Sequence, residues 1–150
     1  MLEKLARMLS RPPDKPDPMS RRLAMAVLMV EAARADFRDS AEERAAMCKA
    51  LIEAFGIDRA DAQTLVERAF AHAHEAVSLH EFLQVLNAEL DPAGKRELLE
   101  RLWRVAYADG RLDPQEEARI RQLADLLFIP HADFVRLRLE VEAQVRRHGT

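Results

Sequence analysis

Apolar residues recur every three or four positions along nearly the whole chain, and no useful stretch alternates with period two. That pattern predicts helices and no sheet, so the fold class read from the sequence is all-α. About seven helices are expected in the main body. The first runs from about Ser20 to Asp36 and is apolar almost all round between Leu23 and Val30, as a central helix should be. The second starts at Ser40, with Ser40 and Glu43 as a capping box, and stops at Phe55-Gly56. The third is capped by Asp58 and turns Ala62, Leu65, Val66 and Phe70 inward. Ser78 and Glu81 read as a second capping box that opens the fourth helix, with Phe82, Val85 and Leu86 inside. Asp91-Pro92 opens the fifth, Asp113-Pro114 the sixth and Pro130 the last, since proline suits a first helical position. The last helix is expected to bury Phe134, Leu137, Leu139 and Val141. Ahead of this body, Leu2, Leu5, Ala6 and Leu9 form one face of a short amphipathic helix. The prolines at 12, 13, 16 and 18 then break any helix and act as a linker. The chain therefore divides into residues 1–19, a leading helix and linker, and residues 20–150, one helical domain.

The pattern repeats within that domain. Ala35-Asp36-Phe37-Arg38-Asp39-Ser40-Ala41-Glu42-Glu43 aligns with Ala108-Asp109-Gly110-Arg111-Leu112-Asp113-Pro114-Gln115-Glu116. In both copies an Asp precedes a Glu by seven residues, with a helix N-cap residue between them. Upstream, Met25, Met29 and Ala32 match Leu98, Leu102 and Val105. Downstream, after a one-residue slip, Phe55-Gly56-Ile57 matches Leu127-Phe128-Ile129. The repeat implies two related three-helix halves joined by a linking helix. It also sets carboxylates at matching places, which is the main functional clue.

Composition narrows the function classes. With 150 residues and a formal net charge of −3, the chain suits one domain with an ample core and lacks a basic nucleic-acid footprint. The single cysteine, Cys48, excludes an internal disulfide. Its place on a stripe with Leu51, Ile52 and Phe55 predicts a buried core thiol in a reducing, cytoplasmic setting. No apolar run is long enough to span a bilayer, and no secretory signal is apparent. Weak inner-membrane association through residues 1–10 is the membrane alternative, with Lys4 and Arg7 on the polar side of the leading helix. No nucleophile elbow, phosphate loop or dinucleotide fingerprint is present, and no small-molecule substrate suggests itself.

The stretch from Trp103 to Glu117, with its Ala108-Asp109-Gly110 corner, resembles the tellurite-resistance TerB-like family. In that family such acidic corners recur in two halves of an all-helical domain. The resemblance covers about Leu23 to Val145. It implies a bacterial cytoplasmic domain tied to stress responses, with a metal-binding or polar interaction site at the corners. Carried over, the site residues are Asp36 and Glu43 in the first half and Asp109 and Glu116 in the second, with Asp39 and Asp113 beside them. The chain departs from the pattern at Phe37, which stands where Gly110 does in the second copy. No His-Pro-Asp signature of a co-chaperone J-domain is present.

Two readings of the corners stay open. A carboxylate at a helix C-terminus faces the negative end of the macrodipole, at a cost of about 0.3–1 kcal/mol. A hard divalent cation (Ca²⁺, Mg²⁺ or Mn²⁺) would compensate it. Equally, Glu43 and Glu116 fall at the third helical position, where helix capping alone accounts for them. The cluster of His72, His74, Glu75 and His80 reads as helix-end surface rather than a zinc site. Trp103 and Tyr107, one turn apart, read as packing. The expected function is a non-catalytic helical interaction module with a protein partner. The rival is a metal-dependent hydrolase using the same carboxylates.

Overall fold

In a computed structural model of the 150-residue chain, residues 18–33, 41–73, 76–110 and 112–148 are described, with side-chain environments from residue 21 to 147 except 76–78. They form seven helices and no strand: α1 (Pro18–Ala33), α2 (Ala41–Phe55), α3 (Arg59–His72), α4 (Ala76–Glu89), α5 (Pro92–Ala106), α6 (Pro114–Leu126) and α7 (His131–His148). Residues 1–17 of the expected leading helix and linker, together with Asp36, Asp39, Ser40, His74 and Glu75, lie outside the described residues, whereas Pro18, expected in the linker, opens α1, a first helical position that proline tolerates.

α1 is the hub. It packs against α2, α3, α4, α5 and α6, while α7 lies on α5 and α6. Every side chain from Leu23 to Val30 is buried, which is what an apolar helix surrounded by five others requires. Around it, α5 contributes Leu98, Leu99, Leu102, Trp103 and Val105. α6 contributes Ile120 and Leu123, and α2 contributes Met47 and Leu51. Trp103 is enclosed by aromatic neighbours on two elements, Tyr107 with ring centroids 6.4 Å apart and Phe134 of α7 at 5.1 Å. These separations and tilts suit offset aromatic packing.

The helix ends follow local chemistry. Asp58, Asp91 and Asp113 each hold an extended N-cap conformation, and each carboxylate accepts a backbone N–H of the next turn at 2.7–2.8 Å. Pro92 and Pro114 stand in the first turns of α5 and α6. At the end of α2, Gly56 is left-handed (φ 63°) and its N–H donates to the Ile52 carbonyl at 2.8 Å, a single αL cap. At the matching place after α6, Phe128 takes the same left-handed backbone (φ 58°). There the Phe128 N–H donates to the Asp125 carbonyl and the Ile129 N–H to that of Ala124, the two bonds of a Schellman motif.

Four sequence expectations need correction. α4 begins at Ala76, so Ser78 lies inside its first turn and does not cap it; no breaker stops the helix from running two residues further upstream. Leu139 is 57% exposed, because a position two residues from both Leu137 and Val141 falls on the opposite side of α7 from those buried residues. Cys48 is only half-buried: one side packs against the core and the other lines a surface groove. In α4, Leu83 and Leu86 carry the burial while Phe82 and Val85 are only half-buried.

Candidate functional site

The second corner is built by the end of α5. Tyr107 closes the helix with its N–H on the Trp103 carbonyl, and the Ala108 N–H reaches back to Val105. The Gly110 N–H then donates to Tyr107 at 2.8 Å, with Gly110 at φ 83°. An L side chain rarely adopts that backbone, which accounts for glycine at this point of the turn. Asp109 thus sits three residues beyond the last helical residue and is exposed. The unfavourable dipole contact expected of it is weakened by distance and by water.

Asp113 and Glu116 have different employments. The Asp113 carboxylate is engaged as the α6 N-cap, accepting from the Gln115 N–H at 2.7 Å. Glu116 is 1% exposed and its repeat counterpart, Glu43, is 2% exposed. Among the described residues these two are the buried charged side chains. The repeat therefore delivers a matched pair of interior carboxylates, while Asp109 stays at the surface. No three His, Cys, Asp or Glu side chains among the described residues group closely enough to hold a metal ion. Asp36 and Asp39 of the first corner lie outside the described residues. His72, half-buried, packs edge-on against Phe82 with centroids 5.5 Å apart, and His80 is exposed.

Asp109 and Gly110 line an open cleft of about 640 Å³ between α2, α5 and α7. Its floor is apolar: Ala46 and Ala50 from α2, Val141 and Val145 from α7, and Tyr107 and Ala108 from the corner. Its rim carries both signs. Glu42, in the first turn of α2, shares the cleft with Asp109, while Lys49, Glu53, Arg101 and Arg104 complete it. A smaller recess beside it is lined by Glu53, Glu97, Glu100, Arg101 and Arg104, so the basic residues and Glu53 stand at a common end. The helix that follows the first corner thus meets the second corner across one cleft.

Ion pairs fix its walls. Arg104 reaches Glu100 at 2.7 Å and Gln144 of α7 at 3.1 Å, which ties α5 to α7. Arg138 of α7 pairs with Glu117 of α6, and Arg119 of α6 pairs with Glu31 of α1. The Tyr107 hydroxyl makes a long contact to Glu142 at 3.4 Å. Burial raises the Tyr107 phenol above its ordinary range, and the Glu142 carboxylate adds to the rise while Arg138 opposes it. A neutral Tyr107 therefore forms part of the cleft wall. The cleft itself could not be read from the sequence, because its residues come from three helices. Lys49, Glu53, Arg101 and Arg104 carry no signal that separates them from ordinary solvated charges.

Residues 22–139 match the family described as tellurite resistance protein TerB. The chain belongs to the TerB family. The match spans both buried glutamates and the Ala108-Asp109-Gly110 corner, and the seven-helix fold is the all-helical architecture expected of TerB. No similar curated protein and no similar solved structure matches the chain. The described helices contain none long and apolar enough to cross a membrane.

Proposed function

We propose that this TerB-family domain is a non-catalytic interaction module of a bacterial stress response, and that a protein partner docks in the α2–α5–α7 cleft. One observation carries the reading: an apolar floor and a rim of both charge signs meet at the second acidic corner. Such a surface suits a peptide or protein segment, with apolar contact for affinity and charges for register. A divalent cation, Ca²⁺, Mg²⁺ or Mn²⁺, at the acidic corners is a further part of the proposal. Its ligand set would draw on Asp36, Asp39 and Glu43 from the first corner and Asp109, Asp113 and Glu116 from the second. Nothing among the described residues favours the metal-dependent hydrolase over the interaction module.

The test is complementation of tellurite tolerance in a strain lacking this chain. Arg101→Glu with Arg104→Glu inverts the basic end of the cleft on solvent-accessible positions. The expected result is a folded protein, by circular dichroism and melting, that fails to restore tolerance. Full restoration by the folded double variant would sink the cleft reading. Calorimetric titration of chelator-stripped protein with the three cations tests the metal part separately.

A further inference from the structure

Phe128 combines two costs, a left-handed backbone and an exposed ring. Its left-handed backbone (φ 58°) disfavours any residue with a Cβ by roughly 1–2 kcal/mol, which is why helix-terminating positions of this kind are usually glycine. The matching position of the first half is Gly56, at φ 63°. Phe128 is also 77% exposed, so its ring gains little from burial. Among the described residues the Lys95 ammonium stands over it, 5.6 Å from the ring centroid. A strained, solvent-facing aromatic is an outlier of the kind that points to a contact made outside the chain.

The surface offers a receptor of matching character. Between α2 and α3 runs an open groove of about 750 Å³, floored by Ala45, Cys48, Ile52 and Val66 and rimmed by residues that include Lys49 and Arg59. It is ample for a phenyl ring. Charge agrees as well: exposed Asp125 stands one turn before Phe128 and complements Lys49 and Arg59, while Lys95 complements Glu53 and Glu67 on the same rim. Phe128 does not line this groove in its own molecule.

We infer that the protein self-associates head to tail, with Phe128 of one copy seated in the α2–α3 groove of the next. The contact is heterologous, so it extends as an open chain or closes as a ring. The groove shares Lys49 and Glu53 with the rim of the α2–α5–α7 cleft but is otherwise built by α2 and α3, and the self-association does not depend on the partner proposed for that cleft.

Sedimentation velocity of the full chain from micromolar to millimolar concentration tests it. The wild type should show a mass that rises with concentration. Phe128→Gly removes the ring and the backbone strain together, so it should fold at least as well and stay monomeric. Ala45→Glu, at an exposed groove position, should also fold and stay monomeric. Mixed together, the two variants should form a heterodimer and nothing larger, because one retains the groove and the other the ring. A wild type that stays monomeric at every concentration overturns the inference. So does undiminished association of either folded variant, or a mixture that fails to combine.

Discussion

The two halves of the domain solve one geometric problem with different residues. After α2 the chain reverses through Gly56, and after α6 through Phe128, at nearly the same left-handed φ. Glycine adopts that backbone without penalty and with a single capping bond. Phenylalanine adopts it against its own preference, held by the two bonds of the Schellman motif and by burial of the next residue, Ile129. The same division runs through the helices before the corners. Val30 in α1 and Trp103 in α5 occupy matching positions and are both buried, yet only the second half invests a large aromatic there. The repeat thus preserves backbone path and polarity, whereas side-chain volume has been redistributed between the halves.

The largest test of that asymmetry is truncation at the matched core positions. Trp103→Ala should cost about 3–5 kcal/mol, because it opens a cavity where Phe134 and Tyr107 now pack. Val30→Ala removes far fewer atoms and should cost clearly less in the same urea titration. Equal losses would mean that α1, as hub, outweighs the volume of its side chains. Next in size are the buried carboxylates. Glu43→Ala and Glu116→Ala should each cost about 1–3 kcal/mol, since each buried carboxylate takes part in an interaction whose other partner would be left unmet. A much larger loss at one of them would show that the two interior glutamates are not equivalent.

Caps come third. Asp113→Ala should lose about 1 kcal/mol by removing the acceptor for the Gln115 N–H, and Asp58→Ala a similar amount at the first turn of α3. The smallest and most direct comparison is the exchange at the reversals. Gly56→Phe should destabilise by roughly 1–2 kcal/mol, as there is open space around the position but no relief of the backbone strain. Phe128→Gly should be neutral or slightly stabilising in thermal melts, because strain relief is offset by about 0.5–1 kcal/mol of glycine chain entropy. If Phe128→Gly proved strongly destabilising, the ring would have to be packing within the monomer.

Much of this architecture was legible because it is local. The capping aspartates, the prolines behind them and Gly56 mark helix ends within three or four residues, and each did so where expected. The repeat was legible because it preserves polarity at matching positions. Ser78 misled because a serine followed by a glutamate at the right spacing also occurs inside a first turn. Cys48 and Leu139 misled for a different reason: a helix stripe gives a direction, but only tertiary packing decides how far neighbours cover it. The cleft was invisible for the same cause. Lys49, Arg104 and Asp109 meet through three helices that no local pattern relates. TerB membership identified the acidic corner without showing that Asp113 is spent on a cap and Glu116 is interior.

The position of α1 has a consequence for biosynthesis. The helix that every other packed element but α7 needs is also the first of the seven to leave the ribosome. Its last partner, α6, is complete only roughly ninety residues later, a delay of about 5–20 s at ordinary translation rates. Until then an almost wholly apolar segment stands without its full set of neighbours. The nascent chain, more than the finished protein, is therefore the form that exposes this apolar surface, and slow codons late in the message would lengthen the exposure.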